Sequence, residues 1–389
     1  MPPLEAQQTW EGTETQFNSL VSSGSSDLNQ YDSFVIIPDN EGTPEAPHTN
    51  GWEVPLMPTD WSWEGKNLTV RSPELSGANH GVKTSNLKLN GHLNTFKVVV
   101  EGDSKSHGLF SEHTNGIVNL SAEHISITAP GHGIFIAVPD VLSEHHDIQM
   151  RDFETLDISS GSTEGSGIVV NRSGKILLWS EKANSEIHIS SSTQMYDHVG
   201  AITNKTRSDT TPGGVSKIDL KANTIILNED AGDQTGYNGI YSGENGLKIT
   251  DGSYIDSQIS LTGKDIQVYG AYFGIIQNGK GTVSLNAENG TNLVKLTADK
   301  LTAWNPDDRD DVVGDEVVED PFMSAAIRVN GAQNKLGKVE LQAQTNIVNG
   351  YDGDGIAIYS EGLSNVVLTA TNVNEVQGVV ISGVRPTEE

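Results

Sequence analysis

The stretch Gly274–Ala287, GIIQNGKGTVSLNA, decides the fold. A Gly and two β-branched residues, Ile275 and Ile276, lead into a Gly-containing turn, after which Val283-x-Leu285-x-Ala287 alternates apolar with polar residues. Period two is the mark of a strand buried on one face. The pattern recurs as Gly108-Leu109 with Ile117-x-x-Leu120, Gly167-Ile168 with Ile176 and Leu178, and Gly239-Ile240 with Leu247-x-Ile249. It returns as Ala326-Ile327 with Val339-x-Leu341-x-Ala343 and Gly355-Ile356 with Val366-x-Leu368-x-Ala370. This is a degenerate repeat.

Working outward, openings of the same kind fall at Gly81, Gly108, Gly133, Gly167, Ala201, Gly239, Gly274, Ala326, Gly355 and Gly378. Many units add a third apolar alternation: Phe96-x-Val98-x-Val100, Ile125-x-Ile127, Leu156-x-Ile158, Ile187-x-Ile189, Ile225–Leu227 and Ile266-x-Val268. Three short strands per unit with no intervening helix predict an all-β fold, a parallel β-helix. Each coil buries its apolar side only against the next. Successive parallel strands joined in this way are expected to wind right-handed. The unequal spacing argues against a left-handed hexapeptide helix, and no GGxGxDxUx nonapeptide is present. No window carries a helical apolar period over three turns, so no helix is expected.

Residues 1–75 differ in texture. Four of the six Trp lie there (Trp10, Trp52, Trp61, Trp63), with many prolines and candidate strands at Phe34–Ile37 and Leu68–Val70. An open stack of strands has an unpaired edge that must be covered, and Pro and large rings suit that task. The division expected is an irregular N-terminal cap with first coils over 1–75, then the β-helical solenoid over 76–389. Trp52, Trp61 and Trp63 also admit a reading as an aromatic carbohydrate platform.

The 389 residues include 41 Gly and no Cys, and carry a net charge of −28. Disulfides, thiolate zinc sites and cysteine nucleophiles are thereby excluded. Such a negative field repels nucleic acid and anionic polymers, so no nucleic-acid partner is expected. Met1-Pro2-Pro3 opens without a basic or apolar leader, which reads as a mature fragment with an added Met or a protein never exported by a signal peptide.

Gly-Ile openings followed by G-x-V-x-L-x-A and N-x-I resemble the passenger domains of Gram-negative autotransporters, specifically the monomeric β-helical adhesins and self-associating passengers. The resemblance covers residues 76–389 and is strongest at Gly274–Ala287, Ala326–Ala343 and Gly355–Ala370. It implies display on the bacterial cell surface at the outer membrane, or secretion. The membrane attachment it implies is through a C-terminal β-barrel absent from this sequence. It implies a non-enzymatic virulence factor that attaches to host glycans or extracellular-matrix proteins and promotes biofilm, or that pairs with copies of itself. A β-helical polysaccharide lyase or glycosidase is the rival reading.

The serine-protease signature is missing, since Gly102-Asp103-Ser104 is followed by Lys105, and there is no GxSxG, Walker loop or HExxH. The basic residues Arg151, Arg172, Arg207 and Arg328 occupy no evident common position. Function is therefore sought where the repeat is interrupted, at 138–146, 203–214, 228–238 and, above all, 305–321. This last insert carries Asp307, Asp308, Asp310, Asp311, Asp315, Glu316, Glu319 and Asp320 against one Arg309.

Trp304, Asp307, Asp308, Asp310 and Asp311 are candidates for partner contact, and the four aspartates are the candidate Ca2+ ligands, although the D-x-D-x-D-G spacing is lacking. A solvated acidic loop is the plainer reading. No other cofactor is implied. Tyr237, Tyr241 and Tyr272 are candidate ligand contacts, with aromatic packing between coils as the plainer reading. Eight of the eleven His lie between His80 and His146, which admits a pH-responsive patch.

Overall fold

Val82, Leu109, Ile134, Ile168, Ile202, Ile240, Ile275, Ile327 and Ile358 pair one after another in parallel register, forming a single apolar row. All nine are buried. Burying an Ile or Leu side chain is worth about 1.5–3 kcal/mol, so this row alone commits the chain to stacking. The computed structural model describes residues 8–39, 51–73, 80–83, 87–111, 116–137, 147–161, 165–171, 174–192, 200–206, 215–232, 235–244, 256–298, 324–331, 336–351 and 355–383.

The fold is all-β, built from two sheets of parallel strands. The short sheet has ten strands: Val82–Lys83, Leu109–Ser111, Ile134–Ala137, Ile168–Asn171, Gly200–Thr206, Asn238–Glu244, Phe273–Asn278, Ala325–Asn330, Ile356–Glu361 and Val379–Gly383. They coincide with the ten openings read from the sequence. The long sheet has fifteen strands and receives the second and third alternations. In several units these two fuse into one long strand, as in Leu87–Val100, Ile117–Ala129, Asp256–Gly270, Gly281–Leu296, Gly337–Asn349 and Ser364–Gln377.

Elsewhere they stay separate, as in Asp147–Arg151 with Thr155–Ser160 and Gly174–Trp179 with Glu186–Ser190. Because Ile117–Ala129 and Asp256–Gly270 each pair through both halves, the ladders between them close a ring of eight strands within the sheet. The second strand expected at Leu247-x-Ile249 lies outside the described residues. Its ladder position is taken by Ile259 and Leu261, which pair with Ile218 and Leu220 on one side and Val283 and Leu285 on the other.

The N-terminal segment joins the same sheet. Thr9–Thr13, Ser33–Ile37 and Asn67–Ser72 pair in parallel ahead of Leu87–Val100. A helix absent from the sequence reading, Glu14–Ser23, lies across this end. Only Phe17 and Val21, one turn apart, are buried in it, too few for a visible period. Its start is defined locally: Gln16 N donates to Thr13 Oγ1 while Thr13 N donates to Gln16 Oε1, a capping box. Trp52, Trp61 and Trp63 are buried around Phe17 and Phe34. They therefore plug the end of the column and form no exposed carbohydrate platform.

The opening glycines are small because of what packs against them. Gly274 has ordinary negative φ, but a Cβ there would lie 2.6 Å from both Ala326 O and Val294 Cγ1. The residue is small because the next coil and the opposite sheet both press on it. Gly243 is a backbone case, with φ of +112° and Asn278 O where a Cβ would go.

Gly243→Ala is expected to cost more than the roughly 1–3 kcal/mol of backbone strain alone. Gly24→Ala, at φ +105° with nothing within 4 Å, should show only the strain. Denaturant midpoints of the two variants measure the difference.

Candidate functional site

Along the third alternation of each unit the inward residues are apolar, so the residues between them form outward rows. Leu156-Asp157-Ile158, Ile187-His188-Ile189 and Ile225-Ile226-Leu227 are in parallel register. Asp157, His188 and Ile226 consequently stand side by side, with Ser159 and Ser190 in the next outward row. Together with Asn228 and Glu229 these residues line a shallow groove.

His188 Nε2 lies 3.5 Å from Glu186 Oε2. Asn228 is buried at the end of the groove in the left-handed region, φ 57°. It holds that end by accepting from Ser191 N at 2.9 Å and donating to Asn238 O at 2.8 Å. The groove thus offers two carboxylates, an imidazole and two hydroxyls, and among the described residues its lining contains neither Arg nor Lys. This set can form hydrogen bonds with a hydroxyl-rich ligand.

Of the groove residues, Asn228 and Glu229 fall in the 228–238 interruption read from the sequence, while Asp157, His188, Ser159 and Ser190 were not singled out. The signal was present as one polar residue between two β-branched or Leu residues at the same place in successive coils. It becomes readable only once the register is known.

A second polar cluster sits where the long strands bend. Glu123 Oε2 is paired with Lys182 Nζ and lies 3.2 Å from His92 Nε2, while His92 Nδ1 lies 2.7 Å from Ser121 Oγ. The Lys182 hydrogen bond, with smaller help from Glu154 and His92, holds the Glu123 carboxyl down at about 2. A carboxylate whose folded pKa is depressed adds stability above its unfolded value of about 4.3 and loses it as pH falls toward 2. Lys182→Met should therefore lower stability above about pH 5, and the gap from the unsubstituted protein should close toward pH 2. Denaturation midpoints taken across pH check this; the group is partly exposed, so the gap is modest.

The histidine-rich region resolves into separate roles. His80, His107 and His132 stack with ring centroids 5.1 and 4.9 Å apart. Each Nδ1 accepts a backbone N–H from the next coil: His107 N at 3.2 Å, His132 N at 3.0 Å and Ser166 N at 3.1 Å. These rings are inter-coil connectors. His92 and His124 face outward on the long sheet, and His113, His145 and His146 lie outside the described residues.

The structure brings Tyr237, Tyr241 and Tyr272 together but buries them, at 3%, 1% and 3% exposure. They form a second apolar cluster with Phe273, Ile276, Ala325 and Ile356, on the opposite side of the short sheet from the row of isoleucines. Tyr237 and Tyr272 stack at 4.9 Å. The outward row Tyr241, Ile276, Arg328, Tyr359 and Ile381 runs through this cluster. Arg328 is 4% exposed, with its guanidinium 5.6 Å from the Phe273 ring and 5.1 Å from the Tyr359 ring.

Trp304, Asp307, Asp308, Asp310, Asp311 and the rest of the 305–321 insert lie outside the described residues, as does the 138–146 excursion. Among the described residues no group of three His, Asp or Glu side chains is arranged to hold a metal ion. No family model, no curated protein and no solved structure matches the chain.

Proposed function

We propose that the chain is a right-handed parallel β-helix serving as the cell-surface passenger of a bacterial autotransporter-type adhesin. The observation that carries this reading is two adjacent outward rows of hydrogen-bonding side chains, Asp157 with His188 and Ser159 with Ser190, presented on a parallel sheet. A repeating column of this kind offers many shallow polar contacts. Each is weak, and many copies per cell make attachment strong through effective concentration. A polysaccharide lyase or glycosidase is less well supported, because among the described residues the groove lining places no Arg or Lys beside Asp157 and Glu229.

The test is attachment of cells displaying the chain to arrayed glycans and matrix proteins, with and without Ca2+. Attachment to at least one surface is expected. Cells that neither attach nor clump would overturn the reading, and release of reducing or unsaturated sugar ends would replace it with the enzyme.

A further inference from the structure

From Arg328 we infer a binding subsite for a carboxylate-bearing sugar on the outer face of the short sheet; the sugar assignment rests on the adhesin reading above. Arg328 is more than nine-tenths buried, yet among the described residues its only hydrogen bond runs from Nε to Asn330 Oδ1 at a long 3.4 Å. Among the described residues no carboxylate lies within ion-pair distance of it. An arginine keeps its charge at any accessible pH, so burial cannot be relieved by losing the proton. Isolating a buried charge costs several kcal/mol unless an anion or hydrogen bonds compensate.

The two flanking rings, Phe273 and Tyr359, supply cation–π attraction. Among the described residues no side chain or carbonyl accepts a hydrogen bond from the terminal N–H groups of the guanidinium. The fork of donors that remains matches a carboxylate in two-point contact.

The rest of the molecule narrows the ligand. With a net charge of −28 the surface repels polyanions. A single buried cation suits a ligand with one carboxylate on an otherwise neutral, hydroxyl-rich body. Tyr359 is the less buried of the two rings. Its apolar face suits the C–H face of a sugar ring, and its hydroxyl suits the sugar's polar edge. Entry runs past this ring.

Titrating the whole chain with N-acetylneuraminate, galacturonate, galactose and N-acetylglycine by calorimetry tests the assignment. The two sugar acids are expected to bind at least tenfold more tightly than galactose and than N-acetylglycine. Arg328→Gln should weaken the sugar acids at least tenfold, with Arg328→Lys falling between because an ammonium makes no two-point contact. Tyr359→Leu should weaken them without restoring galactose.

Without ligand, Arg328→Met should melt at a higher temperature than the unsubstituted protein, since it removes an uncompensated buried charge. A sharp fall in melting temperature instead means that the guanidinium is satisfied within the chain, and the inference fails. It fails as well if galactose or N-acetylglycine binds as tightly as the sugar acids, or if no sugar acid binds. Displayed cells that attach to other surfaces while the soluble chain ignores sugar acids would sink this inference and leave the adhesin reading standing.

Discussion

Asn346→Asp is expected to be among the most damaging single changes in the column. Asn346 is fully buried and belongs to a ladder at the bend of successive long strands. Its Nδ2 donates to Leu341 O at 3.3 Å, Thr369 O at 2.9 Å and Asn374 Oδ1 at 2.8 Å. Its Oδ1 accepts from Asn292 Nδ2 at 2.9 Å. Aspartate keeps the shape but turns the donor into an acceptor facing three oxygens, and adds a buried charge with no cation beside it. A cost of about 3–5 kcal/mol near neutral pH follows from leaving a buried charge uncompensated.

The pH response of the variant gives a sharper signature. Burial raises the carboxyl's pKa in the folded state above its unfolded value of about 3.9, so the folded state binds the proton more tightly. Stability should therefore be highest below the unfolded value and fall as pH rises toward the folded one. Denaturant midpoints of the variant should improve on acidification, in contrast to the Glu123 cluster, which loses stability in acid. Asn346→Leu, which buries no charge, should show no such improvement.

Trp63→Ala should have the largest effect at the other end of the column. Trp63 is fully buried, 4.7 Å edge-on from Trp61, 5.4 Å from Phe34 and 6.2 Å in a stacked arrangement with Phe17. Removing the ring opens a cavity beneath the Glu14–Ser23 helix and should cost about 3–5 kcal/mol. Because each coil leans only on its neighbours, the damage should appear first as faster hydrogen exchange in Thr9–Ile37, and later along the rest of the column. Trp63→Phe should cost much less. The indole Nε1 finds no hydrogen-bond partner among the described residues, so only part of the ring area is lost. Equal losses for Ala and Phe would mean that the cap does not depend on filling this space.

The repeat was legible because its physics is local. Every opening from Gly81 to Gly378 starts a strand of the short sheet, and the apolar alternations Val283-Leu285-Ala287 and Val339-Leu341-Ala343 pair residue for residue. Chain order also revealed the strands at Phe34–Ile37 and Leu68–Val70. What escaped were features fixed by neighbours distant in sequence.

The Glu14–Ser23 helix escaped because two buried residues on one turn leave no period. The small size of Gly274 is set by Ala326 and Val294 in other strands. The groove at Asp157 and His188 depends on a cross-coil register that unequal loop lengths conceal. Tyr237, Tyr241 and Tyr272 looked like contact residues because Tyr is equally at home on a surface and in a layer of packed rings. Arg328 was visible as a scarce basic residue, but its setting between Phe273 and Tyr359 is tertiary.

The row of isoleucines has a mechanical consequence. The inter-coil ladders lie in series along the column, so a pull on its two ends loads every ladder with the full force. The bonds within one ladder share that load and yield together.

Each rupture frees the chain from one row position to the next, as between Ile240 and Ile275, a difference of 35 residues. At about 3.3–3.6 Å per residue that releases roughly 120 Å of slack. Under flow, such a tether would lengthen in discrete steps and shed tension from the contact at its far end.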